Sequence, residues 1–239
     1  IGPLDRSIEG VAAGEYAVIG GRPGHCKSAV SFQCLDTNSK QVPCLLLSEE
    51  MTPTAVAKRR LMALSALEQT YWTHETKGLR KLLNETLENR QPIHIVEGCA
   101  TVQRAEDVIN QFVALHGVKL VVIDYLQSLK GQGSSDTERF ADVSKRIKSL
   151  AKNERVAIVG IAHSKRDNDK FGYRPPRLDD IFGSDQIAKD ADLLFFTEYC
   201  DRTGPPPANA SAATKAAWKT LFRFWIAKRR DGAIKKSVV

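Results

Sequence analysis

The run Lys119-Leu-Val-Val-Ile-Asp124 narrows most sharply what this chain can become. Four consecutive apolar residues between two charges leave no polar alternation, so a strand made of them has two faces to bury and needs a covering layer on each. Similar short runs, rich in β-branched residues, recur along the chain. They predict strands over Tyr16–Gly20, Cys44–Leu47, Ile93–Val96, Leu120–Ile123, Ala157–Ala162 and Leu193–Thr197, with a last one over Leu221–Ala227. Between them, Lys27–Asp36, Thr54–Leu67, Gly78–Glu88, Ala105–His116 and Thr137–Asn153 carry helical spacing, and Thr101 offers a cap ahead of Glu106 and Asp107. Strands alternating with helices imply an α/β fold, a mainly parallel sheet with helices on both faces.

At 239 residues the chain has room for this as one domain, 1–239, and 42% hydrophobic with 26% charged residues excludes a disordered or fibrous chain. No apolar run approaches the ~18 residues of a membrane span. Five cysteines without a CxxC pair fit a reducing compartment, and 35 Lys+Arg against 28 Asp+Glu leave a net +7 that hints at a polyanionic partner. The start at Ile1, with no basic and apolar leader, reads as a domain cut from a longer protein, without its N-terminal region and without a signal peptide. Three segments read as loops: Lys130–Asp136, glycine- and serine-rich and expected to be mobile; Ser164–Leu178, strongly basic; and Cys200–Ala217, a proline- and alanine-rich excursion expected to be flexible.

The chemistry concentrates at predicted strand ends. Gly20-Gly-Arg-Pro-Gly-His-Cys-Lys-Ser28 follows a strand and opens a helix, the context of a phosphate-binding loop. Counted from Gly21 it is one residue from GxxxxGK[ST], with Cys26 in place of the second glycine. In such a loop backbone N–H groups wrap phosphates, the lysine neutralises them and the hydroxyl beside it binds magnesium. The plain alternative is a glycine-rich turn. Asp124 ends a buried strand where a carboxylate can hold magnesium through water, or simply cap a turn. Glu49 and Glu50 end another strand; either can orient a water for attack on a phosphoanhydride, or cap the helix near Thr54. His163 closes a third strand tip, and Lys228 and Arg230 close the last.

Taken together, Gly20–Ser28, Ser48-Glu-Glu-Met51, Val122–Gln127, Ile147–Lys152, Ala188–Asp192 and Ile226–Gly232 occur in the order found in DnaB-type replicative helicases. The whole chain resembles their C-terminal RecA-like ATPase domain, including that of phage primase-helicases. The resemblance implies a P-loop NTPase that uses ATP and Mg2+, assembles as a homo-hexamer and translocates on single-stranded DNA, meeting primase and a helicase loader in the cytoplasm of a bacterium or phage-infected cell. It implies that Gly21, Gly24, His25, Cys26, Lys27 and Ser28 bind nucleotide and that Ser28 and Asp124 hold the metal. Glu50 matches the catalytic glutamate, with Glu49 the reading shifted by one residue. His163 matches a sensor of the γ-phosphate, and Lys228 and Arg230 match the cationic pair offered to a neighbour's nucleotide. Phe182 and Gly183 stand where relatives present an arginine to DNA. The cations Lys165, Arg166, Lys170, Arg174 and Arg177 offer phosphate contacts instead, with Tyr173 or Phe182 to stack on a base. The competing readings are a nucleotide-binding assembly protein with weak hydrolysis, for which Cys26 speaks, and a ring- or filament-forming ATPase that does not unwind.

Overall fold

A computed structural model describes residues 10–65, 81, 84–85, 87–165, 176–183, 185–206 and 208–230. Seven strands form one sheet: β1 (Tyr16–Gly21), β2 (Cys44–Ser48), β3 (Ile93–Val96), β4 (Leu120–Asp124), β5 (Ala157–His163), β6 (Leu193–Tyr199) and β7 (Phe222–Arg229). Their order is β3-β2-β4-β5-β1-β6-β7, all parallel except β7, which returns antiparallel along β6. The helices are α1 (Lys27–Asn38), α2 (Pro53–Ser65), α3 (Val102–His116), α4 (Asp136–Glu154), α5 (Asp185–Asp190) and α6 (Ala212–Ala217). The two short ones, α5 and α6, carry too few turns for a readable period. Most of the helix expected over Gly78–Glu88 lies outside the described residues.

The two faces of the sheet divide by the period-two rule of strands. Ala17 and Ile19 of β1, Leu46 of β2 and Val122 of β4 join Val30, Phe32 and Leu35 of α1 and Val56 of α2 in one core. Tyr16 and Val18, Leu45 and Leu47, and Val121 and Ile123 face the other way, against α3, α4 and α5. Every residue of β1, β2 and β4 is buried, as unalternating apolar runs require.

Two loop expectations are corrected. Lys130–Asp136 has no apolar anchor, but its backbone is tied down by carboxylates of α4: the Gln132 N–H donates to Asp142 (2.8 Å) and Ser134 to Glu138 (2.7 Å). Ser135 and Glu138 complete a capping box there. The excursion after β6 is likewise held. The Trp218 indole donates to Gly204 O (2.7 Å), and the Arg223 guanidinium lies 5.1 and 5.5 Å from the ring centroids of Trp218 and Trp225 while pairing with Glu198 (2.7 Å).

At the opposite end of the sheet Asp192 gathers three partners. Its carboxylate accepts the Tyr16 N–H (2.8 Å), pairs with Lys148 and takes Arg230 Nη1 at 2.9 Å. At the β3 edge His94 stacks with His116, ring centroids 4.5 Å apart, and with Phe112 at 5.0 Å. Burial, and then the neighbouring His116, hold the His94 imidazole below its ordinary value near 6.5. The unfolded chain therefore takes up this proton first as pH falls, so the stability tied to neutral His94 is present above pH ~6.5 and drains away below it. His94→Phe should consequently flatten the drop in melting temperature between pH 7 and 5.5; an unchanged slope in a pH series of thermal melts would contradict this.

Candidate active site at the strand tips

β1 ends at Gly21 and α1 starts at Lys27, so residues 22–26 make the whole turn. The turn is closed from within: the His25 N–H donates to Arg22 O (3.2 Å), and Lys27 Nζ donates to the same carbonyl (2.9 Å). Gly21 must be glycine for space, because a Cβ there would stand 2.9 Å from Thr197 Oγ1. Cys26 answers the question the sequence left open. It caps α1 with φ 61° and ψ 19°, a left-handed conformation that costs an L-residue about 1–2 kcal/mol. A glycine at this position would be free of that cost; the cysteine bears it, with its thiol turned to solvent. His25 serves the loop in a way the sequence did not indicate. Its buried Nδ1 accepts the Tyr199 N–H (3.1 Å), which fastens the loop to the end of β6.

The expected chemical groups converge here. Burial pushes Lys27 down to about 8, opposed by the charges of Asp124 and Glu50. Burial pushes Asp124 upward, opposed first by a hydrogen bond from the Ser28 hydroxyl. A hydroxyl and a carboxylate so paired are hard oxygen donors of the kind Mg2+ takes, and they stand beside a desolvated cation suited to phosphate. The two adjacent glutamates part company. The Glu49 carboxylate accepts the Cys99 N–H, and its own N–H donates to Asp124 O (3.0 Å), which turns it back into the sheet. Glu50 is exposed, and its charge is felt by Lys27, Asp124 and His163.

His163 sits opposite Gly21 in the β1–β5 register, edge-on to Tyr125 (4.6 Å between ring centroids). Burial, with Lys27 next, holds its imidazole below the usual value, and its buried Nδ1 has no hydrogen-bond partner among the described residues. Gln127 is a member of this site that the sequence motif contains but does not single out. Its amide accepts the His163 N–H (3.2 Å) and donates to His163 O (3.3 Å) and Phe182 O (3.1 Å), fixing the β5 tip to the turn that carries Phe182. A glutamine three residues past the Asp124 strand end was the available signal.

Two groups of expected residues lie elsewhere. Arg229 pairs with Leu193, the first residue of β6, so Lys228 and Arg230 stand at the end of the sheet opposite the loop, on the order of 15–20 Å away by strand rise. There Lys228 Nζ donates to Ala188 O (2.9 Å) and Lys189 O (2.7 Å) at the C-terminus of α5. Neither cation reaches the phosphate loop of its own chain. Of the basic loop, Lys165 and Arg177 are exposed, and Lys165 Nζ donates to Asp179 O (2.8 Å). Arg166, Lys170, Tyr173 and Arg174 lie outside the described residues. Phe182 is 51% exposed beside Gly183, whose φ of +99° and contact with Phe140 both require glycine.

The left-handed Cys26 makes a direct prediction. Cys26→Gly should raise stability by about 1 kcal/mol in urea denaturation, whereas Cys26→Ala, with its Cβ retained, should leave the midpoint nearly unchanged.

The family model of the DnaB-like helicase C-terminal domain matches residues 1–239. Among curated proteins, the replicative DNA helicase DnaB of Mycoplasma genitalium is 27% identical over 208 residues, covering 81% of this chain and 44% of that protein. The replicative DNA helicase DnaC of Bacillus subtilis is 23% identical over 248 residues, covering 97% of this chain and 51% of its own length. The chain thus spans about half the length of these relatives. Among solved structures, an isolated ATPase domain superposes with a TM-score of 0.83 at 22% identity over 99% of this chain and 84% of that one. A DnaB-like replicative helicase described with its primase interactions gives the same TM-score and identity, over 99% of this chain and 57% of that one.

Proposed function

This chain belongs to the family of DnaB-like helicase C-terminal domains, and from that footing we propose that it is the ATP-driven motor of a replicative DNA helicase, hydrolysing nucleotide and translocating on single-stranded DNA. One observation carries the reading: Lys27, Ser28 and Asp124 converge where β1 and β4 end, with Glu50 in their electrostatic field. The wrapped backbone between Gly21 and Ser28, Gly24 and Cys26 included, and the N-terminus of α1 receive phosphate oxygens, and Lys27 neutralises them. Ser28 and Asp124 hold Mg2+, which when bound supplies charge neutralisation at the transferring phosphoryl group. Glu50 orients the attacking water and accepts its proton. His163 reads the γ-phosphate through its unpartnered ring nitrogen.

In this reading Lys228 and Arg230, remote from their own loop, complete the site of a neighbouring subunit in a hexameric ring. An arginine suits that part because its planar fork carries a fixed charge. Single-stranded DNA runs along Lys165, Arg166, Lys170, Arg174 and Arg177, with Phe182 exposed to stack on a base. Primase and a helicase loader are partners of the parent protein, and its place is the cytoplasm. Among the described residues no helix is long and apolar enough to cross a membrane.

Calorimetry with Mg-ATP should show magnesium-dependent binding that Lys27→Ala removes; equal affinity in the two proteins would contradict the phosphate-loop assignment. Glu50→Gln should bind nucleotide normally yet lower single-turnover hydrolysis by about 10²-fold or more, while Glu49→Gln retains turnover. A defect confined to Glu49→Gln would shift the catalytic role by one residue. Mixing Arg230→Ala with Glu50→Gln chains, each inactive alone, should restore partial turnover, since some interfaces then join an intact glutamate to an intact arginine; no recovery despite subunit exchange counts against a role in trans. For DNA, removing Lys165 and Arg166 together should flatten the dependence of log affinity on log salt by about 1.4, two single-strand phosphate contacts' worth. An unchanged slope returns the loop to solvent.

A further inference from the structure

Arg202 is the cation near the phosphate loop that neither the family pattern nor the strand-end motifs use. It ends the short 3-10 turn Cys200–Arg202 that follows β6. Because β6 pairs directly with β1, that turn leaves the sheet beside the loop. The turn is held in place. Thr203 donates to Cys200 O through its N–H (2.9 Å) and its hydroxyl (2.7 Å), and the Cys200 N–H donates to Leu221 O (3.0 Å).

So held, the guanidinium lies on Gly24. A Cβ at that glycine would collide with Arg202 Nη1 and stand 2.9 Å from Cζ, so position 24 needs glycine for space as well as for its φ of +78°. Arg22, Lys27 and Arg202 all press their charge on His25, and the carboxylate felt there, Glu198, is already bonded to Arg223 and to the Trp225 indole. Arg202 itself is exposed, and among the described residues its guanidinium makes no hydrogen bond or ion pair. Three cations crowd one turn of backbone while its nearest carboxylate is engaged elsewhere. Such a site attracts a polyanion.

Building on the nucleotide reading above, we propose that Arg202 is a second phosphate-binding cation of the same chain, reaching over Gly24 to the terminal phosphates of the nucleotide whose β-phosphate Lys27 holds. It differs in kind from Arg230, which serves another subunit's site. It also offsets what Cys26 costs the loop, by adding charge-assisted donors where the backbone is strained.

The test is calorimetry of Mg-ADP and Mg-ATP binding to wild type, Arg202→Ala, Arg202→Gln and Lys27→Ala, with AMP as the probe lacking terminal phosphates. Arg202→Ala and Arg202→Gln should each weaken Mg-ADP and Mg-ATP about tenfold, leave AMP affinity unchanged, and keep the melting temperature of the nucleotide-free protein. Wild-type affinity in both Arg202 variants, with binding lost in Lys27→Ala, would overturn the Arg202 proposal alone. Equal losses for AMP and ADP would overturn it too, by moving the contact off the terminal phosphates. Wild-type affinity in Lys27→Ala would bring down the phosphate-loop reading itself.

Discussion

β1 has no free edge. β5 lies on one side and β6 on the other, with α1 against one face and α4 and α5 against the opposite one. A strand enclosed in this way keeps its backbone paired until its tip, where the chain must leave the sheet and find new partners for its polar groups. It leaves at Gly21, turns in five residues and enters α1 at Lys27, so the unpaired N–H groups of a helix start are brought to the sheet's C-terminal rim. The burial of Lys27, which depresses its proton affinity, follows from the same enclosure. A cation kept dry by the sheet gains more from an anionic ligand than one already solvated.

The rim and the base of the sheet do different work. At the rim, parallel strands end together, so β1, β2, β4 and β5 deliver Lys27, Glu50, Asp124 and His163 to one neighbourhood although they are spread over more than half the chain. At the base, Asp192 anchors Tyr16, Lys148 and Arg230. The reversal of β7 is what sends Lys228 and Arg230 to that base. Had β7 run parallel, its last residues would have joined the rim. The antiparallel edge therefore separates these cations from their own phosphate loop and leaves them for a neighbour.

Much of this was legible along the chain. Apolar runs without alternation marked doubly covered strands, and the helices between them dictated parallel pairing, because a parallel connection needs a crossover. Gly20–Ser28, Asp124 and the Glu49-Glu50 pair could be placed at strand tips from local pattern alone. The two loop segments were misread for one reason: with no apolar side chain they looked unanchored, yet Asp142 and Glu138 tie one and the Trp218–Arg223–Trp225 stack ties the other. Those anchors are polar, cationic or aromatic contacts with residues outside the segments, and composition does not register them.

The sequence by itself determined the fold class, the phosphate loop and the set of charged groups that could serve it, because periodicity and strand-end chemistry are local properties of the chain. Only the tertiary structure decided how those groups are used. Glu49 is turned away by the Cys99 N–H while Glu50 is left facing Lys27; Cys26 is held at positive φ; His25 points inward to Tyr199; and Arg202 rests on Gly24. Each of these outcomes joins residues distant in sequence or fixes a backbone angle by its surroundings, and a side chain's direction is set by what packs around it rather than by its neighbours in the chain.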